Sequence, residues 1–244
     1  MPICLGITSG KGGTGKSTVS AGLATAFSKK GRKTVLIDMD QGMRCQDILF
    51  GFDEDIIFDL SDILSGKDLS DCIYSPENHK NLYIIPAPQK LESISLNALC
   101  SLAEKLKKEF DAIIFDFPAG TDFSLYSALG DDGMFITVCN PDLVSVRDAQ
   151  TVSRLLPKTV FEPRLIINKF EKKSFFLGGY KNFDQVIDGA SIRLIGVIPY
   201  DKSLTSLCIT HSINLKKRAG RAFLRTANRR IRSSRRIWTR LPTL

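Results

Sequence analysis

The sequence lacks the features that mark several classes of protein. No two of its six cysteines lie within twenty residues of each other, which argues against a C-x-x-C metal pair and a compact disulfide framework. No uncharged apolar run reaches the ~18 residues needed to span a bilayer. No internal repeat or Pro/Gly/Ser-rich linker interrupts the chain, and no basic region precedes the short apolar stretch at the N-terminus. We therefore expect one cytoplasmic domain with reduced thiols.

What the sequence does have is an ordinary globular composition with an uneven distribution of charge. Apolar residues make up 43% of the 244 residues and charged residues 25%, with a formal net charge of +8. Residues 216–244 carry 11 basic and no acidic side chains, which leaves 23 basic and 26 acidic ones in residues 1–215. The basicity therefore belongs to the C-terminal tail, and this indicates one dedicated surface for an anionic partner.

Short apolar segments alternate with longer amphipathic ones along most of the chain. The short segments are apolar at every position, as expected of parallel strands that helices cover on both faces. The pattern predicts an α/β three-layer sandwich with a mostly parallel central sheet of seven or eight strands. The predicted strands are Ile3–Thr8, Thr34–Ile37, Leu82–Ile85, Ala112–Phe115, Met134–Cys139, Leu165–Ile167 and Leu194–Ile198. The predicted helices are Lys16–Lys30, Leu96–Phe110 and Val144–Leu156, whereas Phe170–Ser191 has no clear pattern.

A glycine-rich segment joins the first predicted strand to the first predicted helix. It reads Gly10-Lys11-Gly12-Gly13-Thr14-Gly15-Lys16-Ser17 and matches the G-x-x-x-x-G-K-[ST] pattern of a P-loop. Glycines let the backbone amides approach phosphates closely, and the helix N-terminus adds its unpaired N–H groups. We expect Lys16 to bridge the β- and γ-phosphates of ATP and Ser17 to ligate Mg²⁺. The fold prediction is therefore that of a P-loop NTPase.

Carboxylates follow two further predicted strands. Asp38 and Asp40 come just after one strand, on the same side of an extended chain, and Asp116 ends another apolar strand in a Walker B arrangement. The carboxyl ends of parallel strands meet at one edge of the sheet, where α/β proteins bind their ligands. We therefore expect Ser17, Asp38 and Asp116 on the metal side of a nucleotide site.

Several segments resemble the MinD branch of the MinD/ParA family of ATPases, and three of them carry the resemblance around the phosphates and the metal. One is the P-loop with its early Lys11, which resembles the deviant Walker A motif of that family. The others are the Asp38–Asp47 segment and the tripeptide Pro118-Ala119-Gly120. The second segment departs from the MinD signature at three positions, where Met43, Cys45 and Gln46 stand in place of Leu, Asn and Leu.

The resemblance implies roles for individual residues in hydrolysis and nucleotide binding. Lys11 would reach the nucleotide of a partner subunit in an ATP-bound homodimer, Asp40 would position the attacking water, and Asp38 would support the metal through water or a hydrogen bond. Gly120 would sense the γ-phosphate, and Asn168 and Pro199 would lie at the adenine. The expected nucleotide contacts are Gly10, Lys11, Gly12, Gly13, Thr14, Gly15, Lys16, Ser17, Thr18, Gly120, Asn168 and Pro199. The expected catalytic residues are Lys11, Lys16 and Asp40.

The resemblance also implies protein partners. Residues 138–149 match a family segment near the dimer interface, where Arg147 or Asp148 would form a dimer or partner surface, or simply a solvated helix N-terminus. The expected partners are a division inhibitor of the MinC type and an activator of the MinE type. The expected function is placement of the division septum. A ParA-like DNA partition ATPase and a flagellar-number regulator of the same family are the alternatives.

The basic tail carries one long amphipathic helical pattern. On a helical wheel six of its arginines share one face, and the apolar residues Leu224, Ile231, Trp238 and Leu241 fall on the opposite face. These arginines are Arg218, Arg225, Arg229, Arg232, Arg236 and Arg240. Such a helix suits the interface of an anionic membrane at the inner face of the cell. Residues 219–231 also resemble the family's last core helix, so we expect the ATPase domain to span residues 1–231 and the tail residues 232–244. For the tail, disorder or DNA contact are the alternatives to membrane contact.

Overall fold

The computed structural model describes residues 1–52, 55–77, 79–91, 93–120, 124–172, 175, 179–202 and 218–228. These residues form a seven-stranded sheet in the order β3-β2-β4-β1-β5-β6-β7, with every neighbouring pair parallel. The strands are β1 Ile3–Thr8, β2 Thr34–Asp38, β3 Leu82–Ile85, β4 Ala112–Asp116, β5 Met134–Cys139, β6 Arg164–Phe170 and β7 Arg193–Pro199. The predicted parallel α/β sheet is therefore confirmed.

Helices cover both faces of this sheet. Those that the structure describes are α1 Lys16–Ser28, α2 Gln46–Phe50, α3 Leu60–Leu64, α4 Leu96–Glu109, α5 Leu143–Leu155, α6 Phe183–Ala190 and α7 Arg218–Asn228. The three predicted helices correspond to α1, α4 and α5, although α1 ends two residues earlier than predicted. Helix α6 lies in the segment without a clear sequence pattern, where the Asn182 side chain caps it by accepting from the Gln185 N–H.

Alternate residues of each central strand contribute to cores on opposite faces of the sheet. In β4, Ala112 and Ile114 pack in the core under α1, whereas Ile113 and Phe115 pack in the core under α4. All four side chains are fully buried. This burial on both faces explains why the strand is apolar at every position.

Helix α7 packs on the domain beside α1. The ring of Phe223 is fully buried, and a Cβ placed on Gly22 of α1 would lie 2.6 Å from it. Leu224 is partly buried against the same core. Leu224 thus packs on the domain, and the membrane contact predicted for it stays a prediction. Ile231, Trp238 and Leu241 lie outside the described residues, and in the described part of the chain no helix is long and apolar enough to span a membrane.

Candidate nucleotide site

The glycine-rich loop lies between the end of β1 and the start of α1, at the carboxyl edge of the sheet. Gly13 and Gly15 have φ of 78° and 83°, a left-handed conformation that favours glycine. A Cβ built on Gly12 or Gly13 would meet no atom within 4 Å, so one side of the loop is open. The loop encloses a cavity of about 190 Å³ that is lined by Ser9, Lys11, Gly12, Gly13, Thr14, Gly15, Lys16, Ser17, Thr18, Asp40 and Ala119. The predicted loop residues 11–18 therefore surround one concave site, whereas Gly10 is not part of its lining.

Close contacts require glycine at two positions of the loop, Gly10 and Gly15. A Cβ on Gly10 would lie 2.5 Å from the Cβ of Asp148 in α5, so the loop packs directly against that helix. A Cβ on Gly15 would collide with Nδ2 of Asn168. These contacts fix the loop between α5 and the end of β6.

Lys16 is the buried cation of the site. Its Nζ lies 3.2 Å from Oδ1 of Asp116 and 4.0 Å from Oδ2 of Asp40, and the residue is only 6% exposed. Burial by itself lowers the pKa of Lys16, but the Asp116 and Asp40 carboxylates outweigh this effect and the pKa is raised. Burial raises the pKa of Asp40, and Lys16 opposes this shift. The ammonium group is therefore held in its charged form beside the glycine loop.

Asp116 ends β4 and is fully buried. Besides Lys16, the Ser20 hydroxyl donates to Oδ1 at 2.9 Å, and the Gln46 amide donates to Oδ2 at 2.7 Å. A buried carboxylate is costly unless donors surround it, and these three side chains meet that need. These three donors consequently fix the orientation of the carboxylate.

Asp38 anchors the loop that follows β2. It pairs with Asp116 in the β2–β4 register, but its carboxylate accepts from three backbone N–H groups, of Asp40, Cys45 and Gln46, at 3.0–3.1 Å. Burial and the Asp116 charge raise the pKa of Asp38 to about 7, although the backbone N–H groups oppose the shift. Because both oxygens are engaged by the loop, Asp38 holds residues 40–46 in place, and its predicted support of a metal through water or a hydrogen bond stays a prediction.

Asn168 and Lys169 hold the opposite side of the loop. The Asn168 amide donates to the Thr14 carbonyl at 2.8 Å, and the Lys169 ammonium donates to the Gly13 carbonyl at 2.7 Å. The β6–β7 register shifts between Ile167 and Phe170, and Lys169 has φ of 52°. This irregularity turns two adjacent side chains towards the loop. An adenine contact by Asn168 stays a prediction, since its Nδ2 is already engaged by Thr14.

Other predicted residues lie around the same edge. Lys11 is half-exposed, with its Nζ 3.8 Å from Oδ1 of Asp142 at the N-terminus of α5. The Gly120 N–H donates to the Ser9 carbonyl at 3.1 Å, and Pro199 ends β7 beside Phe170. Of the two interface candidates on α5, Arg147 is exposed and Asp148 is partly buried against Gly10.

Comparison with known proteins identifies the family of this chain. Residues 5–213 match the model of the CobQ/CobB/MinD/ParA nucleotide binding domain. The chain belongs to this family. It is similar to the septum site-determining protein MinD of Buchnera aphidicola subsp. Baizongia pistaciae, with 33% identity over an alignment of 242 residues. The match covers 91% of this chain and 88% of that protein. The predicted MinD/ParA family is thus confirmed.

Two solved structures of MinD extend the likeness to the whole fold. One is the MinC:MinD cell division protein complex of Aquifex aeolicus, with 27% identity, a TM-score of 0.81 and coverage of 98% of this chain and 99% of that chain. The other is MinD of Pyrococcus horikoshii complexed with Mg-ADP, with 28% identity, a TM-score of 0.75 and coverage of 93% and 95%. These relatives favour the septum-placement prediction over the partition and flagellar-number alternatives.

Membership of the MinD/ParA family implies a nucleotide with Mg²⁺ at this site. The side chains present have the chemistry to hold both. In the described part of the chain, no group of three or more His, Cys, Asp and Glu side chains forms a metal cage. A hydroxyl and one carboxylate, such as Ser17 and Asp116, suit Mg²⁺, which usually keeps several waters and takes phosphate oxygens from its nucleotide. The open glycine loop beside a buried lysine suits the phosphates themselves. The donor set therefore matches the family's ligand.

Sequence reasoning missed three polar residues of this family site, namely Ser20, Gln46 and Lys169. Ser20 lies one turn after Lys16 in a helix whose small residues look like ordinary packing. For Gln46 the sequence did contain a signal of a polar role, because a glutamine stands where the MinD signature has leucine. For Lys169 the signal was its position, since it directly follows Asn168, the residue predicted to contact adenine.

Proposed function

We propose that this chain is a Mg²⁺-ATP-dependent ATPase switch that dimerises, binds the inner face of the cell membrane and helps to place the division septum. The observation that carries the proposal is Lys16, buried between Asp116 and Asp40 at the mouth of the glycine loop. Similarity to MinD over most of the chain supports the septum role.

Binding of ATP would exchange the partners of Lys16. Its ammonium would move from Asp116 to the β- and γ-phosphates, while the loop amides and the N-terminus of α1 donate to phosphate oxygens. Ser17 would hold Mg²⁺ directly and Asp116 would hold it through its water shell. When bound, the metal neutralises charge that develops on the phosphates. The Ser20 and Gln46 side chains keep Asp116 oriented during this exchange.

Hydrolysis would need groups from two subunits. Asp40 lies on the rim of the cavity, 28% exposed, where it would align the attacking water. Lys11 would act on the partner's nucleotide in the homodimer. Its pair with Asp142 is exposed on both sides and 3.8 Å long, a kind of contact that contributes about 0–1 kcal/mol. So weak a pair would not keep Lys11 from reaching across the interface.

The dimer would present two basic tails to an anionic membrane. One tail is a weak and reversible anchor, whereas two tails on one dimer gain avidity. Hydrolysis would separate the subunits and release them. On the membrane the dimer would recruit a division inhibitor of the MinC type, and an activator of the MinE type would stimulate hydrolysis.

The deciding experiment is sedimentation of the full chain with vesicles of anionic phospholipid, in ATP or in ADP. We expect the chain to bind the vesicles in ATP only. In a parallel hydrolysis assay the wild type should release phosphate and Lys16→Ala should release none. Equal binding in both nucleotides would contradict the switch, and normal turnover in Lys16→Ala would contradict the phosphate-loop assignment.

DNA is the competing anionic partner, and a double variant separates the two. Ile231→Ala with Trp238→Ala removes apolar side chains but no charge. We expect this variant to lose vesicle binding, because apolar contact with the membrane depends on these residues. If it still binds vesicles in ATP but no longer binds duplex DNA, the membrane proposal is wrong.

A further inference from the structure

We propose that Gln46 is a positioning residue for the magnesium site, which aligns the Asp116 carboxylate with the first turn of α1. The inference rests on the proposed Mg²⁺-nucleotide function and adds a residue that is absent from the MinD signature. There leucine occupies this position, and leucine can neither donate nor accept a hydrogen bond.

The contacts of Gln46 join three parts of the site. Its side-chain amide lies 2.7 Å from Oδ2 of Asp116 and 3.2 Å from the carbonyl oxygen of Ser17, and its backbone N–H donates to Asp38. The residue is fully buried at the N-terminus of α2. One side chain thus connects the strand-end carboxylate with the residue whose hydroxyl is expected to ligate Mg²⁺.

The orientation of the amide follows from its neighbours. A carboxylate and a carbonyl only accept hydrogen bonds, so the amide nitrogen must face both of them. The Oε1 atom then faces the other way, and among the described residues it has no hydrogen-bond donor although it is buried. An unpaired buried acceptor is unfavourable, so the two hydrogen bonds of the nitrogen are what hold the amide in this orientation.

Gln46 becomes more important once Lys16 moves to the phosphates. In the structure Oδ1 of Asp116 has two side-chain donors, Lys16 and Ser20, whereas Gln46 is the side-chain donor to Oδ2 in the described part of the chain. When Lys16 moves, Ser20 and Gln46 are left, one on each oxygen. The amide therefore fixes the carboxylate plane while the metal is bound, and nucleotide binding without metal does not depend on it.

The test is binding of fluorescent ADP to the full chain, measured in EDTA and during a titration with Mg²⁺. Gln46→Met keeps the length of the side chain and removes the donor. We expect it to raise the Mg²⁺ concentration at half-saturation about tenfold, as suits the loss of one hydrogen bond to a charged group. The Kd in EDTA should stay within twofold. Gln150→Met is the control, because Gln150 donates to Ser191 away from the site.

Each result decides for or against the role of Gln46. If Gln46→Met binds Mg²⁺ like the wild type and loses only thermal stability, the residue merely packs and the inference is wrong. If Gln46→Met does not fold, Gln46→Asn replaces it, since the shorter amide should raise the Mg²⁺ requirement in the same direction. A wild type whose ADP binding does not respond to Mg²⁺ would refute the proposed function itself, and the role of Gln46 with it.

Discussion

Lys16 and Asp116 form a buried ion pair 100 residues apart in sequence, with 3.2 Å between Nζ and Oδ1. Asp116 is the register partner of Asp38, so two carboxylates lie side by side at the ends of β2 and β4. Lys16 is the cation that offsets them. The same lysine therefore has a structural role in the domain besides its proposed catalytic one.

We expect Lys16→Ala to destabilise the nucleotide-free protein by about 3 kcal/mol. Removing one member of a buried pair leaves the other charge without compensation. The measurement is urea unfolding without nucleotide. Lys11→Ala is the matched control, since its exposed pair with Asp142 should change the free energy of unfolding by no more than about 0.5 kcal/mol. Equal losses in the two variants would contradict the structural role of Lys16.

Gly15→Ala should damage the phosphate loop far more than Gly12→Ala. An alanine at position 15 must adopt a φ of 83° and collides with the Asn168 amide that holds Thr14. We expect a loss of about 2 kcal/mol in stability and a more than tenfold weaker affinity for ADP. At position 12 the added methyl meets no atom within 4 Å, so the free energy of unfolding should be unchanged. A stable Gly15→Ala variant with normal ADP affinity would disprove the close approach.

Asp40→Ala should separate nucleotide binding from hydrolysis. The Lys16–Asp116 pair does not depend on Asp40, so the variant should retain ATP, while loss of the water-positioning carboxylate should lower kcat by at least about 100-fold. Dimer should then accumulate in ATP, as measured by light scattering together with single-turnover hydrolysis. Asp71→Ala, which removes an exposed carboxylate paired with Lys67, is the control. A monomeric Asp40→Ala protein without bound ATP would refute the assignment.

Most of the sheet could be predicted because its strands are buried on both faces. In β4, Ile113 and Phe115 pack on one face and Ala112 and Ile114 on the other. The strand is therefore an uninterrupted apolar run that can be recognised in the sequence. Helices α2, α3 and α6 are only five to eight residues long, too short for an apolar period to stand out. Helix α3 begins at a capping box formed by Asp59 and Asp62, a local signal that does not depend on apolar periodicity.

The site was predictable where a motif fixes both residue type and spacing. Lys16, Ser17 and Asp116 are of this kind. The hydrogen bonds of Asp116 with Ser20 and Gln46 join residues 96 and 70 apart in sequence, and only the fold brings them together. The motif position of Asp38 likewise did not show that three backbone N–H groups donate to its carboxylate, because residues 40–46 reach it only through the fold of their loop.

His79 should make stability depend on pH below neutrality. Burial and the charge of Lys29 lower the pKa of His79 from 6.5 to about 4. Between these pH values the unfolded chain binds a proton that the folded chain does not, so stability rises with pH across this window and is lost as the pH falls through it.

The comparison with His79→Phe isolates this effect from other titrating groups. Phenylalanine keeps an aromatic ring against Phe50, whose centroid lies 5.3 Å from that of His79. The difference in free energy of unfolding, wild type minus variant, should fall on the order of 1–2 kcal/mol from pH 7 to pH 4, with solvent screening included. A difference that is the same at both pH values would show that His79 does not titrate in this range.

Phe223→Ala tests whether α7 belongs to the ATPase domain or to the tail. The ring fills the space above Gly22 of α1 and is fully buried, so its removal leaves a cavity between the two helices. We expect a loss of about 3–5 kcal/mol in the free energy of unfolding. Arg225→Ala on the exposed face should cost less than about 0.5 kcal/mol. If Phe223→Ala unfolds like the wild type in urea, α7 contributes little to the domain, and the amphipathic anchor would have to begin at Arg218 instead of beyond residue 231.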